Sequence, residues 1–418
     1  MKTKYLIISV SFLLTVFFLF PTYSFGQGTW AQKANFPGTG RYFAASFSIG
    51  TKGYIGIGYA DLDMNSPFRD FWEWDQVTNV WTKKANYPGA SGGVVANFSI
   101  GTKGYIATGD NNNGNGFTNE LWEYNPATDS WTQKASLPST PERAWAVGFS
   151  IGTKGYIGTG SLDVGLPSSY YQDFWEWDQA TNVWTKKANF GGTARSYAIG
   201  FAIGTKGYIG TGQDIIGGKD VDKKDFWEWD QATNIWTKKA DFGGTARGYA
   251  KGFSIGAKGY ILTGIDATWT PFNDVWEWDQ NTNTWVQKSN FGGTGRVFSV
   301  GFSIGNKGYI GTGGSGTLSY QDFWEYNPSG TTGIAKMDKE SISVYPNPAA
   351  DIITLNFENI NNAGLSMNIY NTTGKLLRSE ILTQSQQQIN IGEISNGIYI
   401  IEIKSKGWSA KRKLIIQR

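Results

Sequence analysis

An arginine and an aromatic residue recur two positions apart at five places in the chain, each pair eleven residues ahead of a Lys-Gly-Tyr-Ile tetrapeptide. The pairs are Arg41 and Phe43, Arg143 and Trp145, Arg195 and Tyr197, Arg247 and Tyr249, and Arg296 and Phe298. At the corresponding place in the second copy stand Gly92 and Val94. Guanidinium groups suit the recognition of carboxylates and sugar hydroxyls, so we predict that the five arginines bind a ligand. In the alternative, each arginine fixes its own loop and each aromatic ring packs between neighbouring units.

Further aromatic residues stand beside Asp and Asn in segments that differ between copies. Stacking combined with hydrogen bonding is a common way to hold sugars or partner loops. We therefore add Tyr170, Tyr171 and Trp269 to the predicted binding residues, together with Trp145 of the arginine motif. The segment 61–65, Asp-x-Asp-x-Asn, has the alternate-oxygen spacing of a calcium loop but lacks the following glycine and the distal glutamate. We assign no metal site, and the sequence leaves open whether calcium binds at Asp61.

The chain has no histidine and no cysteine. Their absence excludes imidazole bases, Ser-His and Cys-His nucleophiles and disulfides. A formal net charge of +3 over 418 residues gives no electrostatic support for a nucleic-acid partner. One glutamate recurs in every copy, and six equivalent carboxylates are predicted to pair with lysines of the next strand rather than to act as acid and base. We predict a protein that is not an enzyme and needs no cofactor.

The repeat predicts the elements that position these residues. Lys-Gly-Tyr-Ile begins at six lysines with spacings of 51, 51, 52, 52 and 49 residues: Lys52, Lys103, Lys154, Lys206, Lys258 and Lys307. Each period contains four strand-like segments, as in 195–203, 206–211, 225–230 and 235–239. Six units of four strands predict an all-β, six-bladed β-propeller. The loops after the second strands are long and all different, and they share a face with the segments that lead into the first strands.

A lone copy of the fourth-strand tryptophan precedes the first full period, at Trp30, and the last period lacks one. We therefore predict that an N-terminal strand completes the last blade and closes the ring.

The repeated units resemble the kelch repeat over roughly residues 27–328. The resemblance rests on closely spaced glycines such as Gly158-Thr159-Gly160, then Phe-Trp-Glu-Trp-Asp, then a tryptophan, then an arginine that opens the next unit. It implies a kelch-type propeller. Copper-dependent oxidation, as in galactose-oxidase relatives, needs His and Cys ligands that this chain lacks. A metal-free sugar epimerase or lyase, and a purely structural adhesion protein, remain as alternatives.

The two ends of the chain carry different signals. Residues 1–26 combine two lysines, a 15-residue apolar run from Leu6 to Phe20, and small residues before Gln27, which predicts a signal peptide cleaved near Gly26. At the other end, alternating segments at 352–357, 366–370, 376–382, 388–391, 398–404 and 411–416 predict a small antiparallel β-sandwich.

The C-terminal residues resemble the type A sorting domain of the type IX secretion system of Bacteroidota. The resemblance is carried by Val-Tyr-Pro-Asn-Pro at 344–348, Asn-Thr-Thr-Gly-Lys at 371–375, Gly-Ile-Tyr-Ile at 397–400 and a basic final strand. It implies export across the outer membrane by that machinery. We predict a signal peptide at 1–26, a propeller at 27–328, a linker at 329–340 and the sorting domain at 341–418. The whole is predicted to be a secreted or surface-displayed, monomeric module that binds a glycan or a surface protein.

Overall fold

The structure is a computed structural model. It describes residues 27–62, 64, 66–111, 116–139, 142–162, 169–329, 342–357, 365–382, 384, 386–405 and 408–418. The predicted signal peptide, Asp63 and Asn65 of the candidate calcium loop, and most of the predicted linker lie outside these residues. Every regular element of the described residues is a β-strand, and a helix of sufficient length and apolarity to cross a bilayer was not found among them.

Six four-stranded antiparallel sheets follow one another along residues 29–327, each written here from its innermost to its outermost strand. Sheets 1 and 2 comprise β2 (Ala45–Ile49), β3 (Lys52–Gly56), β4 (Phe71–Asp75) and β5 (Val80–Lys84), then β6 (Ala96–Ile100), β7 (Lys103–Ala107), β8 (Leu121–Asn125) and β9 (Ser130–Lys134). Sheets 3 and 4 comprise β10 (Val147–Ile151), β11 (Lys154–Gly158), β12 (Phe174–Asp178) and β13 (Val183–Lys186), then β14 (Ile199–Ile203), β15 (Lys206–Gly210), β18 (Phe226–Asp230) and β19 (Ile235–Lys238). Sheets 5 and 6 comprise β20 (Lys251–Ile255), β21 (Lys258–Leu262), β22 (Val275–Asp279) and β23 (Thr284–Lys288), then β24 (Val300–Ile304), β25 (Lys307–Gly311), β28 (Phe323–Asn327) and β1 (Thr29–Gln32).

Two short hairpins extend from the loops of sheets 4 and 6. They are β16 (Gln213–Ile216) with β17 (Lys219–Asp222), and β26 (Gly314–Ser315) with β27 (Leu318–Ser319).

The innermost strands β2, β6, β10, β14, β20 and β24 lie side by side around a channel, and β24 also lies against β2. Neighbouring sheets pack through an aromatic ring of one against a glycine of the next. A Cβ atom on Gly104 would lie 2.0 Å from the Phe47 ring, so the glycine of Lys-Gly-Tyr-Ile is required by close packing. Six sheets that extend outward from a central channel resemble the blades of a propeller, so the fold is propeller-like.

The N-terminal strand β1 pairs antiparallel with β28 and forms the outer edge of sheet 6, as expected from Trp30. Lys33, which directly follows β1, makes the same contact with the repeated glutamate as the lysines at the ends of the outermost strands in the other sheets. The Lys33 ammonium lies 3.3 Å from the Glu325 carboxylate, as Lys84 lies 3.7 Å from Glu73 in sheet 1. Such a lysine contacts the repeated glutamate in each of the six sheets, so the predicted cross-strand pairing is confirmed.

Residues 342–418 form two antiparallel sheets that share one apolar core. The first sheet contains β29 (Ile342–Tyr345), β30 (Ile352–Phe357) and β33 (Gln386–Asn390); the second contains β32 (Leu376–Leu382), β31 (Leu365–Asn371), β34 (Gly397–Ser405) and β35 (Trp408–Ile416). The strands β30 to β35 overlap the six predicted segments. Strand β29, which pairs with β30, was not among them.

Candidate functional site

The five repeated arginines are completely buried: Arg41, Arg143, Arg195, Arg247 and Arg296 are each 0% exposed. Each guanidinium forms two parallel hydrogen bonds to one aspartate at the start of the third strand of its own sheet, at 2.5 to 2.9 Å. The partners are Asp70, Asp173, Asp225, Asp274 and Asp322. We call these five pairs the arginine ring.

Further contacts occupy the remaining surface of each guanidinium. In sheet 1, Arg41 also donates to the Ile57 carbonyl at 3.0 Å, and its guanidinium lies between the rings of Phe36 and Phe68, 4.6 and 4.3 Å from their centroids. Burial raises the pKa of Asp70, but the hydrogen bonds and charge of Arg41 outweigh it, so this carboxyl has a pKa below its ordinary value. The expectation that the arginines bind a ligand is corrected here, because their donors are directed at groups of the same sheet and are shielded from solvent.

Sheet 2, which has Gly92 in place of the arginine, shows why one sheet folds without it. Glu120 replaces the aspartate and is longer by one methylene. Its Oε2 accepts hydrogen bonds from the Ala90 amide at 2.8 Å and from the Trp122 indole at 2.9 Å. The neighbouring Arg69 donates to the Ser91 carbonyl at 2.9 Å. The break in the pattern therefore reflects a different set of bonds to the same segment, not a vacancy for a ligand.

The aromatic residues of the same motif line the mouth of the channel. Their ring centroids form a chain of contacts: Phe43 to Phe298 at 4.1 Å, Phe298 to Tyr249 at 4.7 Å, Tyr249 to Tyr197 at 4.1 Å, and Tyr197 to Trp145 at 5.5 Å. We call these five residues the aromatic arc. Between Trp145 and Phe43, where sheet 2 contributes to the mouth, the side chain is Val94. The chain of ring contacts is therefore interrupted at sheet 2, where Val94 is buried.

Backbone conformation turns these side chains toward the mouth. All five arc residues and Val94 have left-handed φ values between 54° and 60°. Bulky L-residues rarely adopt this conformation. Hydrogen bonds between adjacent sheets hold it in place, such as Trp145 N to the Val94 carbonyl at 2.9 Å and Val94 N to the Phe43 carbonyl at 3.3 Å. Left-handed backbone also recurs at Ile57, Thr108 and their equivalents in the other sheets, so this conformation orients the arc residues but does not by itself distinguish the mouth.

The mouth encloses a cavity of about 120 Å³ that continues into a channel cavity of about 260 Å³. Polar groups in these cavities include the Asn97 amide and the channel-facing serines of the inner strands. The Tyr249 hydroxyl is hydrogen-bonded to Tyr197 and lies 3.1 Å from Gln213 Oε1. Burial raises the pKa of both tyrosines above the ordinary value. The site thus combines half-buried aromatic faces with a few hydrogen-bonding groups, which suits a polar ligand with apolar faces.

The predicted loop residues have three different placements. Trp269 is 68% exposed, and its ring lies 6.3 Å from that of Tyr249, so it extends the arc outward. Tyr170 is buried, with its hydroxyl 3.4 Å from an Asp220 carboxylate oxygen. The aromatic side chain of Tyr171 lies over the Arg143 guanidinium at 4.3 Å, so it packs on the arginine ring and not at the mouth. Only Trp145 and Trp269 of the predicted aromatic set are placed at the mouth.

The loops after the second strands lie beside the mouth, as expected. Isolated β-bridges join their first residues to the segments that lead into the inner strands, for example Tyr59 to Tyr42 and Gln213 to Ser196. Sequence reasoning named Phe43, Tyr197, Tyr249 and Phe298 but favoured packing between units for them. It noted Val94 as the break in the motif, and it missed Asn97 and Lys251 as lining residues. Among the residues that the structure describes, no group of three or more Asp or Glu side chains lies close enough together to hold a metal ion.

The C-terminal region matches a known family. Residues 343–417 fit the model of the secretion system C-terminal sorting domain. This chain carries a sorting domain of that family. It is therefore exported through the type IX secretion system, to be secreted or displayed at the cell surface.

Comparison of the whole chain yields a fold relationship only. No curated protein sequence matches the chain. The solved structure of YjhT superposes with a TM-score of 0.60 at 16% sequence identity, and the match covers 70% of this chain and 95% of that chain. At this identity the likeness concerns the fold and not the ligand.

Proposed function

We propose that residues 27–328 form a closed, six-bladed, kelch-type propeller whose channel mouth binds a glycan outside the cell. The six sheets in cyclic contact, the pairing of β1 with β28 and the similarity to YjhT support the architecture. The sorting domain supports the location, because it directs the chain to the exterior, where glycans of the cell surface and surroundings are accessible.

The observation that carries the binding role is the aromatic arc. Sugar rings present apolar C–H faces edged by hydroxyl groups, and aromatic faces next to hydrogen-bonding side chains complement both. The arc offers half-buried rings from five consecutive sheets beside Asn97 and the Tyr249 hydroxyl. The arc is interrupted at Val94, so we propose that an elongated ligand crosses the rim of the mouth in the sheet 2 sector.

Binding without catalysis is supported by the chemistry of the lining. Acid–base chemistry on a sugar commonly uses two titratable groups in unlike environments. The residues that line the two cavities include one charged side chain, Lys251, and neither an Asp nor a Glu among the described residues. We therefore propose a binding module and not a sugar epimerase or lyase.

A glycan-array screen of the full mature chain, followed by calorimetry with the best ligand, tests this proposal. Trp145→Ala and Tyr249→Ala should each weaken binding at least tenfold, because truncating an aromatic residue at the centre of a binding site typically costs about 2 kcal/mol or more. Leu318→Ala serves as the control, since Leu318 is 65% exposed on a loop of the same face, outside the mouth. Binding to a surface protein and to no glycan would contradict the proposal, as would equal loss in all three variants.

A further inference from the structure

Lys251 is a charged residue at a position that is otherwise apolar. It is the first residue of β20, and the first residues of the other five inner strands are Ala45, Ala96, Val147, Ile199 and Val300. Those five are at most 4% exposed and pack between sheets. A lysine at one of six equivalent places does not follow from the needs of the repeat, because a valine or isoleucine would fill the same space at lower cost.

The side chain of Lys251 runs along the wall of the channel just below the mouth. Its Cγ is the atom nearest to where a Cβ on Gly301 would stand, at 2.6 Å, so its aliphatic stem covers that glycine. Lys251 lines both the mouth cavity and the channel cavity. It supplies the one charged group among the described residues of either lining.

Several lysines of the repeat have carboxylate partners, and Lys251 differs from them. Lys258, seven residues later, pairs with Asp279 and Glu277. Within the described part of the chain, Lys251 has no carboxylate at ion-pair distance. Burial, with no opposing contribution from a negative charge, lowers the pKa of its ammonium to about 8.

We propose, resting on the mouth site above, that Lys251 is an anion-binding residue and that the ligand is an acidic glycan whose carboxylate or sulfate pairs with its ammonium. An ammonium held beside a cavity with no protein counter-ion is stabilised by an incoming anion more than by a neutral ligand. A sugar ring on Tyr197 or Tyr249 has Lys251 within the same cavity.

Asn97 is a second polar residue of the lining. It lies on β6, and two inner strands separate β6 from β20 in either direction around the ring, so these strands lie on opposite sides of the channel and both residues line the mouth cavity. At the same position of the inner strand, the other sheets have Ser46, Gly148, Gly200, Gly252 and Gly301. Ser46 and Asn97 thus carry the polar side chains at this position. Asn97 Oδ1 accepts from the Ser46 amide at 3.3 Å and its Nδ2 donates to the Val95 carbonyl at 3.4 Å, so a ligand that reaches Asn97 would use the remaining hydrogen-bonding capacity of that amide.

The test measures binding of four probes to the full mature chain: oligogalacturonate, its methyl ester, a sulfated galactan and its unsulfated form. Lys251→Met keeps the stem and removes the charge. We expect it to weaken binding of an acidic probe at least tenfold and to leave the neutral counterpart of that probe unchanged. Lys251→Arg should retain most of the binding. Lys238→Met, on the exposed outer strand of sheet 4, controls for loss of one positive charge.

The outcomes separate the anion site from the mouth site. A loss confined to oligogalacturonate identifies a carboxylate ligand, and a loss confined to the sulfated galactan identifies a sulfate ligand. Unchanged binding of acidic probes to Lys251→Met, with losses in Trp145→Ala, would overturn the role of Lys251 but keep the mouth site. Failure of every probe, acidic and neutral, together with a negative array, would overturn the mouth site itself. A melting temperature at or above that of the parent chain verifies that Lys251→Met is folded.

Discussion

The arginine ring and the aromatic arc come from one tripeptide motif, yet the structure gives its two residues opposite environments. Each arginine is enclosed by its own sheet, with paired bonds to an aspartate and, in several sheets, an aromatic ring on one or both faces. The aromatic residue two positions later lies at the mouth, half-buried and in contact with its counterparts from neighbouring sheets. The charged residue is architectural, and the apolar one is available to a ligand.

The comparison shows that chemical type does not by itself identify the binding residue of a repeat. A buried guanidinium whose terminal nitrogens are already paired with an aspartate of its own sheet has little interaction energy left for a ligand. The positions at which the repeat copies differ are more informative about the binding residues than the chemical type of the repeated residue. Where the arc changes, at Val94, the shape of the mouth changes; where the arginine ring changes, at Gly92, Glu120 and Arg69 supply other bonds to the same segment.

Breaking the arginine ring should have the largest effect on stability. Replacing Arg195 by Ala leaves the Asp225 carboxylate partly buried without its partner, and we expect a loss of about 3–5 kcal/mol in the free energy of unfolding. Arg195→Lys should recover only part of the loss, because an ammonium cannot form both parallel bonds. Urea denaturation of the full chain measures both. If the Arg195→Ala chain kept near-parental stability but lost glycan binding, Arg195 would have to be assigned to the ligand-binding residues.

Replacing Lys251 should have a smaller effect of the opposite sign. We expect Lys251→Met to stabilise the fold by about 1–2 kcal/mol at pH 7, because the variant no longer holds a half-buried, unpaired ammonium on the channel wall. The pKa of Lys251 is about 8 in the folded chain and near 10.5 when unfolded. Below pH 8 both states are charged and the penalty is complete; between pH 8 and 10.5 the unfolded chain binds more protons, so the parent gains stability as pH rises.

The stabilising effect of Lys251→Met should therefore shrink between pH 8 and 10.5 when melting temperatures of the two chains are compared. The nearby titratable groups of the mouth, Tyr197 and Tyr249, are present in both chains and cancel in the comparison. A stability difference that stays constant over this range would show that the ammonium is not desolvated.

Closing the gap in the arc should have the smallest effect on stability. Val94→Phe places a sixth ring at the mouth and removes a β-branched residue from a left-handed position, so we expect stability to change by less than about 1 kcal/mol. Binding of a long glycan should weaken more than binding of a disaccharide, because an added ring in the sheet 2 sector occupies space at the rim that a long ligand would use. Calorimetry with both ligands measures this difference. Equal affinities of the parent and the variant for the long glycan would show that this ligand does not pass Val94.

Much of the architecture could be predicted from the residues because the repeat encodes it locally. The spacing of Lys-Gly-Tyr-Ile, the alternation within each strand and the lone Trp30 predicted the four-stranded sheets and the pairing of β1 with β28. The strands of the C-terminal region were predicted for the same reason, except β29. Its residues, Ile342 to Tyr345, form a short strand whose pairing with β30 depends on contacts that only the folded region supplies.

The candidate site was less accessible from sequence, because exposure is a property of the assembled sheets. Sequence determined that an arginine and an aromatic residue recur at the channel end of the inner strands. Only the tertiary structure decided that the guanidinium reaches an aspartate 26 to 30 residues later and is enclosed there. It likewise decided that left-handed backbone at Trp145 or Tyr249 brings rings from different sheets together at one mouth. The sequence shows Lys251 as a charged residue at a position that is apolar in the other five inner strands. Its proposed role in binding depends on the channel that the six inner strands form together.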